Sequence, residues 1–164
     1  MEIVLYPDPR LTYPNERLGA WSVDAENKVK GMRNLLAQVG GVGLAAPQVG
    51  WNVRLFILAI DGVERIVYDP EVALVGGKIA VPEGCLSFPG MDAKIERHES
   101  VKLLGKTPEW VLEHVFTGFE AQAVQHEMDH LDGILYIERM TQADRLRNSL
   151  VLRGLEERWK RRVR

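Results

Sequence analysis

Three short segments of this chain carry residue types that could do chemistry together. His126-Glu127-Met128-Asp129-His130 sets two imidazoles four residues apart. On a helix that spacing puts both rings on one face about one turn apart, within reach of a single divalent ion. Glu127 sits beside the first of them, where a carboxylate can hold a water and take its proton. The competing reading of the same pattern is a charged, solvated helix face. A hydrolytic metal site also needs a third protein ligand and an open position for water. No third histidine follows His130 at a suitable spacing, and Glu138 lies beyond Gly133, off the helix. The other candidate is Cys85, in Glu83-Gly84-Cys85-Leu86-Ser87, which Pro89 and Gly90 mark as a loop. A lone cysteine is more often a small core residue than a ligand, so the residues alone leave its role open.

The third segment is Gly41-Val42-Gly43-Leu44-Ala45-Ala46-Pro47-Gln48. It follows a helix instead of a strand and lacks the third glycine of a dinucleotide fingerprint, so it is not a nucleotide loop. Its small residues permit close backbone approach, and Gln48 can donate a side-chain N–H. A tight connection packed on the core is the alternative.

These segments must be positioned by secondary structure. Ser22–Val39 reads as a helix with Ser22 as N-cap, Val29, Met32, Leu36 and Val39 on one face, and Gly40-Gly41 as its end. Val53–Ile60 reads as a strand, Ile66–Tyr68 and Val72–Val75 as short strands around Pro70, and Val101–Leu104 and Trp110–Phe116 as two more. Thr117 is placed to cap a second helix, Gly118–Leu131, which Gly133 terminates. Thr141 to about Arg162 reads as a third, with an apolar stripe of Val151, Leu152, Leu155 and Trp159. Three helices among several strands, without βαβ alternation, predict an α+β fold. We expect one domain over residues 1–164, its H-E-x-x-H helix packed against surrounding, mostly antiparallel sheets, with a basic amphipathic C-terminal helix at 141–164.

Composition narrows the class without choosing the chemistry. The 164 residues are 46% hydrophobic and 27% charged, with a net charge of −2, which suits an ordinary globular domain. One cysteine cannot form an internal disulfide, so no oxidising compartment is required. The N-terminus lacks a basic region followed by an apolar run, and Leu55–Ile60, the longest apolar stretch, is too short to span a bilayer. A cytoplasmic location and no membrane association are therefore expected. Charge is unevenly spread: Thr141–Arg164 holds eight basic and three acidic residues, leaving 13 basic and 20 acidic elsewhere.

Taken together, Gly41–Gln48, Glu83–Ser87 and Gln125–Gly133 resemble the peptide deformylases, which carry G-φ-G-φ-A-A-x-Q, E-G-C-φ-S and Q-H-E-x-D-H-φ-x-G in that order. Leu5–Leu11 also looks like that family's N-terminus, and the resemblance runs from about residue 3 to residue 140. It implies a hydrolase that removes the formyl group from the N-terminal methionine of nascent polypeptides. It implies that Cys85, His126 and His130 bind one divalent ion, Fe²⁺ in bacterial members, with Ni²⁺, Co²⁺ or Zn²⁺ able to replace it. Softness arguments admit all four. Glu127 is then the general acid and base, while the Gln48 side chain and the Leu86 backbone N–H stabilise the developing oxyanion. Val42, Gly43 and Gly84 are expected to pair with substrate main chain, and Val42, Val81, Phe119 and Ala123 to form an apolar methionine pocket with His126 at its base. Two departures, Tyr68-Asp69-Pro70 and Gly90-Met91-Asp92, touch the expected rim of the groove and not its chemistry.

The basic third helix is read first as a helix packed on the domain with a solvated face. A contact with ribosomal RNA is the sharper alternative, since phosphates attract Lys and Arg without sequence preference. Two rival functions remain at this stage. An H-E-x-x-H peptidase cleaving internal bonds would not need Cys85, and a non-catalytic relative would not need the complete set Gln48, Cys85, His126, Glu127 and His130.

Overall fold

The computed structural model describes residues 1–163. Five strands form one sheet in the order β1 (Gly43–Ala45), β2 (Leu55–Ile60), β3 (Val63–Glu83), β4 (Ala93–Lys106), β5 (Val111–Thr117), with every neighbouring pair antiparallel. Among the described residues four α-helices accompany it: α1 (Val23–Val39), α2 (Gly118–Leu131), α3 (Gln142–Arg147) and α4 (Ser149–Arg162). The expected α+β class with an antiparallel sheet is what the chain adopts.

Helix α1 forms as its caps dictate. Ser22 Oγ accepts from the Ala25 N–H at 3.1 Å, and Gly40 closes the helix at φ +67°, where a side chain would be strained. Its buried stripe, Val29, Met32, Leu35 and Leu36, packs on Leu44, Leu55, Ile57 and Ile66. Helix α2 lies across the inner face of the sheet. Ala121, Ala123, Val124, Met128 and Leu131 pack there with Phe56, Leu58, Val67, Val101, Leu103 and Phe116. A third cluster, around Cys85, Phe88, Ile95, Tyr136 and Leu155, joins the cysteine loop to α4.

The strands differ most from expectation. The two short strands expected at Ile66–Tyr68 and Val72–Val75 are one: β3 runs through Pro70, and on through Gly76-Gly77, for 21 residues. The ladder to β4 absorbs them as irregularities between Tyr68 and Glu71 and between Val75 and Lys78, where an unpaired residue can carry a proline or a positive φ. Asp69 sits in the first of these at φ +51°. Its buried carboxylate accepts from the Leu18 and Gly19 N–H groups at 2.6 and 3.0 Å and from Lys106 Nζ at 3.3 Å.

Two helix expectations are also corrected. The Thr117 side chain makes no capping hydrogen bond, and Gly118 enters α2 at φ +56°. The predicted third helix is two helices that meet at Asn148, whose Nδ2 donates to the Asp92 carbonyl (2.9 Å) and the Asp144 carbonyl (3.0 Å). Thr141 caps α3 by accepting from the Asp144 N–H at 3.1 Å. Leu155 is buried, with Val151 and Leu152 packed against the same cluster.

Candidate metal centre

Helix α2 is buried along nearly its whole length, so its polar side chains must find partners inside the protein. Its C-terminal end is pinned from outside. Asn15 Nδ2 donates to the His130 and Leu131 carbonyls at 3.3 and 3.0 Å, and Arg54 Nη1 to the Leu131 carbonyl at 3.2 Å and to Asp132 Oδ1 at 2.7 Å. These bonds satisfy carbonyls the helix cannot satisfy itself. The two histidines thus project from a helix fixed along its axis, with ring centroids 5.0 Å apart.

The loop after β3 brings the cysteine to them. Cys85 Sγ lies 3.3 Å from His130 Nε2, and one donor atom from each of Cys85, His126 and His130 lies within 4.8 Å of the others. One sulfur and two imidazole nitrogens at that separation fit a divalent transition ion. Beside them Glu127 Oε2 is buried with no hydrogen-bond partner among the described residues, and so is His130 Nδ1. A buried carboxylate oxygen without a donor calls for one to arrive, from water or from substrate. Burial pushes Glu127 up to about 7, with His126 acting against the shift and Glu83 adding to it. Burial likewise lowers His130 well below the usual imidazole range.

A chain of buried charges, which local sequence patterns do not reveal, holds His126. Its Nδ1 lies 2.9 Å from Glu83 Oε2, leaving Nε2 for an ion. Arg97 grips Glu83 with two hydrogen bonds of 2.7 and 3.0 Å and reaches Asp129 at 2.7 Å, and Asp129 is held in turn by Arg139. Burial alone would raise Glu83, but its hydrogen bonds to His126 and Arg97 hold the carboxyl down to about 2. For His126, burial alone would lower the ring's pKa, and the Cys85 and Glu83 contacts outweigh it and hold it well above the ordinary value. The Tyr136 hydroxyl donates to the Glu83 carbonyl at 2.5 Å and ties down the same turn.

These groups open onto a cavity of about 400 Å³. Val42, Gly43, Gln48, Gly84, Cys85, Leu86, Phe119, Ala123, His126 and Glu127 line it, so ten of the residues singled out in the sequence come together. His130 sits behind them against Cys85. Val81 does not line the cavity. It pairs with Ile95 in the ladder, and Pro82, one residue on, takes the wall position. Gln48 Oε1 accepts from the Ala45 N–H at 2.9 Å, which turns Nε2 toward Ser87 Oγ (3.3 Å) and Cys85 Sγ (3.7 Å). The Leu86 N–H, in the turn after Cys85, donates to no protein acceptor among the described residues. Strand β1 ends the sheet, so one of its edges is free beside the cavity. Gly43 is required for a reason the motif does not state: a Cβ there would overlap the Glu127 carboxylate. Gln122 also lines the cavity and was missed, although its position between Phe119 and His126 on the same helical face could have found it.

Comparison with known proteins follows the same lines. The family model described as polypeptide deformylase matches residues 1–146. A peptide deformylase of Aquifex aeolicus is 36% identical over 152 residues, covering 85% of this chain and 86% of that protein. The chloroplastic/mitochondrial peptide deformylase 1B of Arabidopsis thaliana is 36% identical over 149 residues, 86% of this chain. The chain spans only 54% of that plant protein's length. Among solved structures, Arabidopsis thaliana peptide deformylase 1B in complex with an inhibitor superposes with a TM-score of 0.93 at 33% identity, covering 99% of this chain and 93% of that one. A Plasmodium falciparum peptide deformylase does so with a TM-score of 0.93 at 31% identity, covering 97% of each.

Proposed function

The chain belongs to the polypeptide deformylase family, a family of metal-dependent hydrolases that remove the N-terminal formyl group from nascent peptides, and on that premise we propose how its own residues perform the reaction. The observation that carries the reading is the convergence of Cys85, His126 and His130 beside the unpartnered carboxylate oxygen of Glu127. An H-E-x-x-H peptidase has no need of the cysteine, so this convergence disfavours that rival.

Cys85, His126 and His130 would hold one divalent ion, which when bound would supply Lewis acidity to a water and to a carbonyl oxygen. Glu127 takes the proton of the attacking water and hands it to the leaving amine, a role suited to a carboxyl whose burial brings its pKa near neutrality. The Gln48 side chain and the Leu86 N–H donate to the formyl oxygen as it becomes negative; such a donor is typically worth about 3–4 kcal/mol. The free edge of β1 at Gly43, with Val42 just before it and Gly84 on the same cavity, takes the substrate main chain as an added strand, which leaves later side chains unread. The methionine side chain enters the cavity between Val42, Phe119, Ala123 and His126.

The finer assignments rest on chemistry. A thiolate with two imidazoles suits Fe²⁺ as the native ion, with Zn²⁺, Ni²⁺ or Co²⁺ able to substitute. A lone thiol kept reduced favours the cytoplasm, and no described helix is long and apolar enough to cross a membrane. The basic face of α4, with Arg153, Arg158, Lys160, Arg161 and Arg162, favours a contact with ribosomal RNA. The decisive experiment measures formate released from a formyl-methionyl peptide, with metal content determined on anaerobically purified protein and Glu127→Ala as control. Metal-loaded protein that releases no formate overturns the assignment.

A further inference from the structure

The wall of the cavity holds one polar side chain with no part in the chemistry above. Helix α2 turns Phe119, Gln122, Ala123, His126 and Glu127 toward the cavity; His126 and Glu127 serve the chemistry, and Phe119 and Ala123 suit an apolar pocket. Gln122 does not. Its Nε2 donates to the Pro82 carbonyl at 2.8 Å, which fixes the orientation of the amide and turns Oε1 away from the strand. No group among the described residues donates to Oε1, and Oε1 is not one of the unpaired atoms sealed from solvent. Gln125, three residues further along the helix, shows the contrast: its Oε1 accepts from the His98 N–H, and its Nε2 donates to two carbonyls. One glutamine of α2 is saturated by the protein, and the other keeps an acceptor for whatever fills the cavity.

We propose that Gln122 is a specificity-determining residue, and that its free Oε1 lets the cavity take formylated residues whose side chain ends in an amide N–H, glutamine above all, alongside methionine. The inference rests on the cavity being the pocket for the first residue. Glutamine and methionine are unbranched side chains of similar length. The thioether offers Oε1 no donor, whereas the amide does, and a wholly apolar pocket would reject the amide.

The test compares kcat/KM for formyl-methionyl, formyl-norleucyl and formyl-glutaminyl peptides on the metal-loaded protein and on Gln122→Leu. The expected result is measurable turnover of the glutaminyl peptide and a fall in the glutaminyl-to-methionyl ratio of about tenfold in Gln122→Leu, the worth of one hydrogen bond. Norleucine should follow methionine. An unchanged ratio overturns the proposal. Leucine also loses the Pro82 bond, so a second measurement avoids the variant: inhibition of the unsubstituted enzyme by deformylated glutaminyl and norleucyl peptides. The proposal expects the two to agree within about tenfold, and a norleucyl preference above about a hundredfold, the penalty of an unpaired amide, overturns it. Absence of formyl-methionyl turnover would instead sink the deformylase reading itself, so the two failures are distinguishable.

Discussion

Glu83 Oε2 lies 2.9 Å from His126 Nδ1, so the glutamate two residues before the cysteine also orients the histidine that faces it. The same carboxylate is gripped twice by Arg97. A buried carboxylate that fixes an imidazole's tautomer raises its quality as a ligand. In Glu83→Gln the oxygen that accepts from Nδ1 still accepts from Arg97 Nη2, but the amide N–H turned toward Arg97 Nε cannot accept, and the negative charge beside the guanidinium is gone. We expect metal affinity to fall about 10–100-fold, and stability to fall by about 3–5 kcal/mol because a buried guanidinium loses a partner. Metal release to a chelator and denaturant unfolding report the two separately. Wild-type metal retention in Glu83→Gln would show that the contact does not position His126.

Local patterns carried the site further than they carried the sheet. Helix α2 was legible because its apolar and metal-ligating residues repeat at helical spacing and a glycine follows its end. Strand β3 was not, because Pro70 and Gly76-Gly77 are stop signals in one chain and become tolerable only when β4 supplies the rest of the ladder. Arg97 and Asp129 were invisible for a related reason. Nothing in the neighbourhood of either residue reveals that a partner 32 positions away will bury both. Asn148 reads as an ordinary surface helix residue until Asp92 arrives to take its side chain and break the helix.

The contact between Gly43 and Glu127 gives a second prediction. A methyl group on residue 43 would overlap the carboxylate, which is itself buried and cannot swing into solvent. Gly43→Ala should therefore displace Glu127 and lower kcat by about a hundredfold, the range a misplaced general base costs. Metal content should be unchanged, because no ligand touches residue 43 within this clash. Full kcat in Gly43→Ala would mean that Glu127 does not carry the proton.

Asp69 separates stability from activity. It adopts φ +51°, which aspartate tolerates better than most residues, and it holds Leu18 and Gly19 by their N–H groups. It does not line the cavity. Asp69→Ala loses charge-assisted hydrogen bonds and keeps an unfavourable backbone, so we expect a loss of about 2–4 kcal/mol. The denaturant midpoint should fall with an unchanged slope, while kcat and KM at low temperature stay at wild-type values. Asp69→Asn should recover part of the loss, since asparagine also tolerates the left-handed region.

Gln48 offers the sharpest test of the oxyanion assignment. Its Oε1 is fixed by the Ala45 N–H, so Nε2 is held toward Ser87 and Cys85 without needing substrate to order it. A donor held in place before charge develops acts on the transition state and little on the ground state. Gln48→Ala should then lower kcat by about 10²–10³-fold with KM close to wild type. Gln48→Glu keeps the shape but cannot donate when ionised and places a negative charge beside the developing oxyanion, so it should be at least as inactive. Steady-state kinetics on formyl-methionyl peptide, with metal content measured on each variant, decide the matter. A rise in KM at constant kcat would show that Gln48 binds substrate uniformly and takes no special part in the transition state.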